Sequence, residues 1–310
     1  MKTKQLLSIA GILLTLTAIL FIGRLLWRYG ETLLTAPLDT AHLILFIAGS
    51  LVYSITGVLL AVSWFKLLHL FGKPGIRFPH SFKIYARSQM AKYIPGNVFQ
   101  FAARHVSGRT HGIGHGPLVA SMMYEIVGIA WAAGVLGLTG FLLYRLRQPH
   151  LSLPLIVLVC IGLFLFPAIF NKAAHRIKFL QPLAIGETSS IAIFRRIAPI
   201  YLLYILFFII NGCVFVWVVN ATSGARPLAN GGLVLSIYAV SWLAGFLTPG
   251  APGGIGIRET VMVLLLTPIV TQPAALLAAL FFRLVNIFGD ILLFLLSLPV
   301  AGKSVEGTGD

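Results

Sequence analysis

Polar and charged side chains stand inside otherwise apolar parts of this chain, where an ionised group costs about 3 kcal/mol on membrane-insertion scales. They are Asn97, Gln100, Arg104, Glu125, Arg258, Glu259, Arg283, Asn286 and Asp290. Arginine binds phosphate and carboxylate groups through charge-assisted hydrogen bonds, and a nearby carboxylate can hold the arginine or titrate. These residue types therefore indicate a site that binds an anionic group within a membrane.

Two breaks interrupt long apolar stretches. Their residues are Pro95 and Gly96 in the first break and Pro249, Gly250, Gly253, Gly254 and Gly256 in the second. An arginine follows the first proline of each break by nine residues, at Arg104 and Arg258. Backbone in a bilayer that is neither helix nor barrel needs protein or a water-filled cavity around it, and paired breaks in two halves are typical of transport sites. The alternative is that each break only kinks or ends a helix.

Composition places the chain among membrane proteins. Hydrophobic residues make up 58% and charged residues 10%, whereas soluble domains carry about 25% charged residues. The formal net charge of +15 could suggest nucleic-acid binding. The basic residues lie mainly in loops beside apolar spans, however, where they set orientation and meet anionic lipid headgroups. We therefore expect membrane lipids as partners and no nucleic acid.

Hydropathy predicts an all-α, polytopic membrane protein with about eight membrane-inserted segments in two pseudo-repeated halves. The six regular apolar spans are residues 6–23, 43–65, 117–144, 151–170, 198–220 and 274–299. Two irregular regions, 81–111 and 233–271, contain the breaks. The shorter arm of the second, 259–270, reaches about 18 Å against a hydrocarbon core of about 30 Å. That length favours a re-entrant or discontinuous helix, whereas the first region could also be a loop.

After the first break, polar residues recur at spacings of three and four, which places them on one helical face. They are Asn97, Gln100, Arg104, Ser107 and His111. One interpretation is a half-helix that dips inward with free amides at its N-terminus for an anion. The other is an amphipathic helix lying at the membrane surface with its polar face to water.

The remaining charges require partners because they lie deep within apolar segments. Arg283, Asn286 and Asp290 share one helical face, so an ion pair within that helix is the structural alternative to a binding role. Glu125 could pair with Arg104 or with Arg258. Glu259 directly follows Arg258, so the two point to different sides of a helix and need different partners.

The distribution of Lys and Arg predicts the orientation. Segments 66–115 and 171–197 carry most of the basic residues, and the loops between them carry few. We therefore expect a cytoplasmic N-terminus and a multi-pass protein of the bacterial-type cytoplasmic (inner) membrane. We read 6–23 as an uncleaved first helix, 1–301 as one transmembrane domain and 302–310 as a short polar tail.

Two sequence blocks resemble the lysylphosphatidylglycerol synthase transmembrane-region family, also called flippase-like. The blocks are AKYIPGNVFQFAAR, from Ala91 to Arg104 and followed by His111-Gly112-Ile113, and TPGAPGGIGIRE, from Thr248 to Glu259. The resemblance implies a polytopic lipid translocator similar to the family's stand-alone members, without the synthase activity of its fused members. The residues to which it extends are Pro95, Gly96, Gln100, Arg104, Pro249, Gly250, Gly253, Gly254, Gly256, Arg258 and Glu259.

We predict that the protein moves an amphiphilic lipid between leaflets through a charged central cavity. The lipid would be an anionic phospholipid or an isoprenoid-phosphate-linked lipid. No enzymatic activity, cofactor or metal is expected, because metal-dependent lipid transfer needs clustered aspartates and the chain has only Asp39, Asp290 and Asp310. Alternatives are a secondary transporter of a small soluble anion and a non-catalytic membrane partner subunit. A homo-oligomer and a separate lipid-synthesising enzyme as partner remain open.

Overall fold

A computed structural model describes residues 39–72, 75–94, 98–146, 190–224 and 230–299, together with a few isolated positions. Several predictions lie outside these residues: the spans 6–23 and 151–170, the polar tail, and the break residues Pro95, Gly96 and Asn97. Within the described residues every regular element is helical and no strand occurs. The all-α prediction is thus confirmed.

The described residues form eight α-helices. They are α1 (Thr40–Phe71), α2 (Phe78–Gln89), α3 (Phe99–Thr110), α4 (His115–Leu146), α5 (Ser190–Ser223), α6 (Gly231–Leu247), α7 (Ile257–Leu266) and α8 (Gln272–Leu296). Four of these helices, α1, α4, α5 and α8, are long and apolar enough to cross a membrane. They correspond to the predicted spans 43–65, 117–144, 198–220 and 274–299, so the prediction of a polytopic membrane protein is supported.

The directions of the long helices follow from their contacts. Gly49 of α1 faces Val285 of α8, and Gly57 faces Leu293, so α1 and α8 run in the same direction. Near one end of α1, His42 contacts the Ala221 carbonyl, and farther along Thr56 accepts a hydrogen bond from Asn211. Helix α5 therefore runs antiparallel to α1.

Helices α2 and α3 form a hairpin that contains the first break. Helix α2 begins against α1, where the Phe78 and Phe65 rings lie 5.5 Å apart. Helix α3 ends against α4, where a Cβ at Gly108 would meet Leu118. Both ends of the hairpin lie at the same end of the bundle, and the 3₁₀ turn Met90–Tyr93 leads to its tip.

The polar face of α3 points into the protein. Gln100 and Arg104 are buried, whereas Val98 is 60% exposed and Val106 is 63% exposed. An amphipathic helix at the membrane surface would show the opposite pattern, with its polar residues in water. Ser107 and His111 of the same face are half-buried. At Gln100 and Arg104 the structure therefore agrees with the interpretation in which the polar face points inward.

Helices α6 and α7 form a second hairpin around the second break. Helix α6 ends at Leu247, and a 3₁₀ turn at Pro252–Gly254 precedes α7. Gly250 adopts φ 88° and Gly256 adopts φ 82°, a region of backbone space that side chains with a Cβ rarely enter. The expectation that Gly250 lies in non-helical backbone is thus met, and the glycines allow the chain to reverse.

The tips of the two hairpins meet. A Cβ placed on Gly253 would lie 3.6 Å from the Lys92 carbonyl oxygen, 3.7 Å from Tyr93 Cδ1 and 3.3 Å from Arg283 Nη2. The second hairpin thus approaches the first through a residue without a side chain, and α8 packs beside both. This arrangement brings segments that are separated by about half of the chain to one point.

Candidate functional site

A cavity of about 60 Å³ lies where the two hairpin tips meet the long helices. Its charged and amide lining residues are Gln89, Lys92, Gln100, Arg104, Glu125, Arg258 and Asp290. Tyr53 of α1 and Phe207 of α5 also line it, and both are near the middle of their helices. The volume is enough for several water molecules. The cavity therefore combines a polar lining with a position at mid-height in an apolar bundle.

The first ion pair of the site joins α3 to α4. Arg104 Nη1 donates to Glu125 Oε2, and Arg104 Nε donates to Ser88 Oγ at 3.2 Å. The Tyr85 hydroxyl donates to the other oxygen of Glu125 at 3.0 Å. Arg104 is fully buried and Glu125 is 4% exposed. Of the two arginines that the sequence offered as partners for Glu125, the structure therefore pairs it with Arg104.

Aromatic rings surround the Arg104 guanidinium. Its Cζ lies 4.0 Å from the centroid of the Tyr85 ring and 5.1 Å from that of Trp64. The Trp64 ring is itself fixed, since Nε1 donates to Ser121 Oγ at 3.2 Å. Cation–π attraction and the hydrogen bonds together hold Arg104 in one position. The pair is therefore an anchor between the first hairpin and α4 as well as part of the cavity wall.

The second ion pair joins the first hairpin to α8. Lys92 Nζ lies 2.6 Å from Asp290 Oδ2, and the Tyr93 hydroxyl donates to the same oxygen at 2.5 Å. Asp290 is 3% exposed. Lys92 and Arg104 were both counted among the loop charges that set orientation, but the structure pairs each of them with a carboxylate. Arg104 is fully buried and the Lys92 side chain is 15% exposed. Only the exposed basic residues of segment 66–115 can therefore contribute to the excess of positive charge that sets the orientation in the membrane.

The third ion pair holds the second break. Arg283 Nη1 lies 3.6 Å from Glu259 Oε1 and donates to the Gly253 carbonyl at 3.1 Å. Glu259 Oε2 accepts the Gly256 backbone N–H at 2.7 Å, which caps the first turn of α7. An ion pair between Arg283 and Asp290 within α8 was the structural alternative. That alternative is wrong, because each residue pairs with a different hairpin.

Arg258 has no such partner. Among the described residues no carboxylate lies within 4.0 Å of its guanidinium, and its buried Nε makes no hydrogen bond. Its Cζ lies 5.2 Å from the centroid of the Trp242 ring. The side chain passes Gly245 and Gly254, where an added Cβ would lie 2.9 Å and 2.6 Å from Nε. The two glycines therefore form a slot that the Arg258 stem fills.

The structure brings together most of the predicted site residues. Gln100, Arg104, Glu125, Arg258 and Asp290 line the cavity. Glu259 and Arg283 lie behind it, at the second break. Asn286 is buried, with no hydrogen-bond partner for Oδ1 among the described residues, but it does not line the cavity. Asn97 lies outside the described residues.

Several cavity residues escaped the sequence analysis. They are Tyr53, Tyr85, Gln89, Lys92, Phe207 and Trp242. Lys92 and Tyr93 stand directly before the first break, and this position could have identified them. The aromatic residues carry no such signal, because an isolated aromatic residue in an apolar span is typical of packing or of the interfacial belt. The described residues contain no cluster of three metal-ligating side chains.

Comparison with known families gives one match across almost the entire chain. The model of the lysylphosphatidylglycerol synthase TM region matches residues 8–293. The match includes both hairpins and every residue of the cavity described above. No curated protein matches the chain. The chain belongs to the lysylphosphatidylglycerol synthase TM-region family, and this membership suggests a membrane function related to lipids.

Proposed function

We propose that this protein moves an amphiphilic lipid between the two leaflets of a membrane and performs no catalytic step. The observation that carries the proposal is the charged cavity at mid-height in the apolar bundle, where Lys92, Arg258 and Asp290 face one space. A lipid headgroup can occupy such a cavity while its tails stay in hydrocarbon. The proposed substrate is an anionic phospholipid or an isoprenoid-phosphate-linked lipid.

The two hairpins support this proposal if they enter the membrane from opposite sides. Helices α2 and α3 start and end beside the C-terminal end of α1, whereas α6 starts next to the C-terminal end of α5 and α7 leads to the start of α8. The C-terminal ends of α1 and α5 lie at opposite ends of the bundle, because these two helices run antiparallel. We propose that both hairpins are re-entrant and that their tips form two halves of one gate. Opposed broken helices are a common plan in transporters.

The exposed surface of α3 favours the same view. Val98 and Val106 are mostly exposed, and Gln100 and Arg104 face inward. Exposed apolar and buried polar residues suit a helix surrounded by lipid rather than by water. We place the protein in a cytoplasmic membrane with its N-terminus inside, in agreement with the exposed basic residues Lys66, Arg77 and Arg109 near the ends of the first hairpin.

A reconstitution experiment tests the proposal. Purified protein would be incorporated into vesicles that contain a trace of phosphatidylglycerol with a fluorescent label on its acyl chain. Dithionite added outside destroys the label only in the outer leaflet, so about half of the signal is lost without lipid movement. We expect a loss well beyond half in vesicles with protein. The same loss with and without protein would contradict the proposal.

Two variants make the test specific. Arg258→Gln removes a cavity charge, whereas Arg87→Gln removes an exposed charge of the first hairpin. We expect the first variant to slow lipid movement at least tenfold and the second to behave like the natural protein. Both must elute as a single symmetrical species in detergent. Equal rates in the two variants would exclude a role for the Arg258 charge in lipid movement.

A second candidate is a secondary transporter of a small soluble anion. The cavity volume of about 60 Å³ favours it, because that space matches a small anion better than a large headgroup. Vesicles loaded with radioactive phosphate or sulfate would distinguish the two functions. Uptake of the anion without movement of labelled lipid would support the second candidate. A partner subunit without transport would show neither activity, and its cavity charges would tolerate neutral replacement.

A further inference from the structure

The charges around the cavity balance one another except at Arg258. Each carboxylate of the region is matched to one cation: Glu125 to Arg104, Asp290 to Lys92, and Glu259 to Arg283. Arg258 lines the same cavity and has no carboxylate partner among the described residues. With all these groups ionised, the described residues of this region together carry one uncompensated positive charge. Arg258 is half-buried and its Nε is fully buried. A charge with so little access to water is costly when it is unpaired, so it indicates a place where a ligand supplies the opposite charge.

Contacts within the protein hold the Arg258 side chain in one position. Its stem lies in the slot between Gly245 of α6 and Gly254 of the second break, and its guanidinium lies over the Trp242 ring. A side chain held in this way loses little conformational entropy when it binds an anion. Arg104 and Arg283 differ from Arg258 because each already has a carboxylate partner. Glu125 accepts a hydrogen bond from Arg104, and Glu259 lies beside Arg283.

We infer that Arg258 is the anion-binding residue of the cavity and that the ligand presents a phosphodiester with a single negative charge. This inference rests on the proposed function and names the substrate class for the same site. A phosphodiester keeps one negative charge at every physiological pH, and that charge neutralises the one left unpaired. A phosphomonoester or a diphosphate brings more negative charge and would leave the excess buried and unpaired.

The hydrogen-bond donors around the site agree with a phosphate group. Arg104 Nη2 and Arg283 Nη2 are buried and have no hydrogen-bond partner among the described residues. Arg104 lines the cavity together with Arg258, whose buried Nε is also without a partner, whereas Arg283 lies behind the cavity. The two anionic oxygens of a phosphodiester can accept hydrogen bonds from more than one such donor.

Two kinds of lipid contain this group. In a glycerophospholipid the phosphodiester joins diacylglycerol to a headgroup, and in a sugar-phosphate isoprenoid it joins a sugar to a polyprenol. The shared chemistry is the singly charged phosphodiester beside an apolar tail. An isoprenoid diphosphate carrier has more than one negative charge, so it does not match the single unpaired charge of Arg258.

Binding measurements on the purified protein in mild detergent test this inference. The probes are short-chain phosphatidylglycerol, a glucosyl phosphate ester of farnesol, short-chain phosphatidic acid, farnesyl diphosphate and inorganic phosphate. We expect at least one of the first two to bind more tightly than the three others, and the tighter of them identifies the lipid source. Tighter binding of phosphatidic acid or farnesyl diphosphate would overturn the single-charge inference. Binding of inorganic phosphate with equal affinity would overturn the inference that the ligand is a lipid phosphodiester.

Variants assign the binding to Arg258. We expect Arg258→Gln to weaken binding of the tighter phosphodiester probe at least tenfold, and Arg87→Gln to leave it unchanged. Gly245→Ala retains the charge but narrows the slot, so it should weaken binding as well; it serves as the second variant should Arg258→Gln not fold. Unchanged affinity in whichever of these variants folds would overturn the assignment of Arg258.

The outcomes separate this inference from the proposed function. Arg258-dependent binding of a phosphodiester without lipid movement in vesicles would retain the ligand class and refute the flippase function. Lipid movement that is independent of Arg258, or that does not discriminate among the charged probes, would retain the function and refute the ligand class.

Discussion

Lys92 and Asp290 are 198 residues apart in the sequence, yet Lys92 Nζ lies 2.6 Å from Asp290 Oδ2. The contact ties the first hairpin to α8. Seven residues earlier on α8, Arg283 binds the Gly253 carbonyl and thereby ties the second hairpin to the same helix. Helix α8 therefore braces both tips, and any relative movement of the tips must alter these contacts.

A double-mutant cycle measures the Lys92–Asp290 contact. We expect Asp290→Asn or Lys92→Met alone to lower the free energy of unfolding by about 3–5 kcal/mol, because each leaves a buried charge without its partner. The double variant should recover a large part of that loss. Reversible denaturant unfolding in detergent gives the free energies.

The matched cycle combines Arg283→Gln with Asp290→Asn. These residues belong to different ion pairs, with Glu259 and Lys92 respectively, and share only the contact of each with Tyr93. We therefore expect a coupling between them that is smaller than the coupling between Lys92 and Asp290. A larger coupling between Arg283 and Asp290 than between Lys92 and Asp290 would contradict the pairing in the structure.

Glycine positions provide a packing test between α4 and α6. A Cβ on Gly140 would collide with the Ser236 side chain and lie 2.9 Å from the Gly232 carbonyl oxygen, whereas a Cβ on Gly134 meets nothing within 4 Å. We expect Gly140→Ala to destabilise the protein by about 1–3 kcal/mol through overpacking. Gly134→Ala should be neutral or stabilising, since alanine favours the helix. Thermal unfolding of both variants in one detergent makes the comparison, and equal midpoints would refute the predicted helix contact.

A histidine pair predicts how stability changes with pH. On α3, outside the four long helices, His105 Nε2 lies 2.9 Å from His115 Nδ1. Partial burial, the neighbouring His115 and the charge of Arg109 lower the pKa of His105 below its usual 6.5. The unfolded chain therefore binds this proton more readily, so the contribution is fully present above pH 6.5 and is lost as the pH falls below it.

We accordingly expect a lower unfolding temperature at pH 5.5 than at pH 7.5, with a smaller decrease in His105→Asn. The other titrating groups are common to both proteins, so the difference between the two decreases isolates the pair. The same decrease in unfolding temperature in both proteins would show that the histidine pair does not contribute to the pH dependence of stability.

The long helices and the breaks were accessible from sequence because both depend on local properties. Apolar length predicts α1, α4, α5 and α8, and the glycines of the second break predict backbone that no ordinary helix supplies. The polar face of α3 followed from spacing alone. The burial of that face could not be predicted, because the spacing of the polar residues is the same whether the face meets water or protein.

The pairing of the charges depends on long-range geometry, and sequence left it open. The helical spacing of Arg283 and Asp290 suggested that they pair with each other, but the hairpin tips supply nearer partners for both. From sequence alone, Lys92 was grouped with the loop residues that set orientation. Its pairing with Asp290 becomes visible only in the structure. Gly245 carried no signal, since its role arises only from the stem of Arg258, which follows on the next helix.

Orientation is a prediction that labelling can test. Single cysteines would be introduced at His111 and Thr271 in a variant that lacks Cys160 and Cys213. His111 directly follows α3 and lies four residues before α4, and Thr271 immediately precedes α8. The contacts of α1 with α4 and α8 place the two positions at opposite ends of the bundle. The exposed basic residues lie near the His111 end, so we expect that end in the cytoplasm.

An impermeant thiol reagent should therefore label Thr271→Cys in intact cells and His111→Cys only after permeabilisation. Cysteines at Lys4 and Lys178 should behave like His111→Cys, because the N-terminus and the 171–197 segment are predicted to be cytoplasmic. The reverse pattern at His111 and Thr271 would invert the orientation but preserve the fold. Labelling of both from outside would contradict the structure itself, since α1 and α8 run in one direction and their shared geometry requires these two positions to face opposite sides.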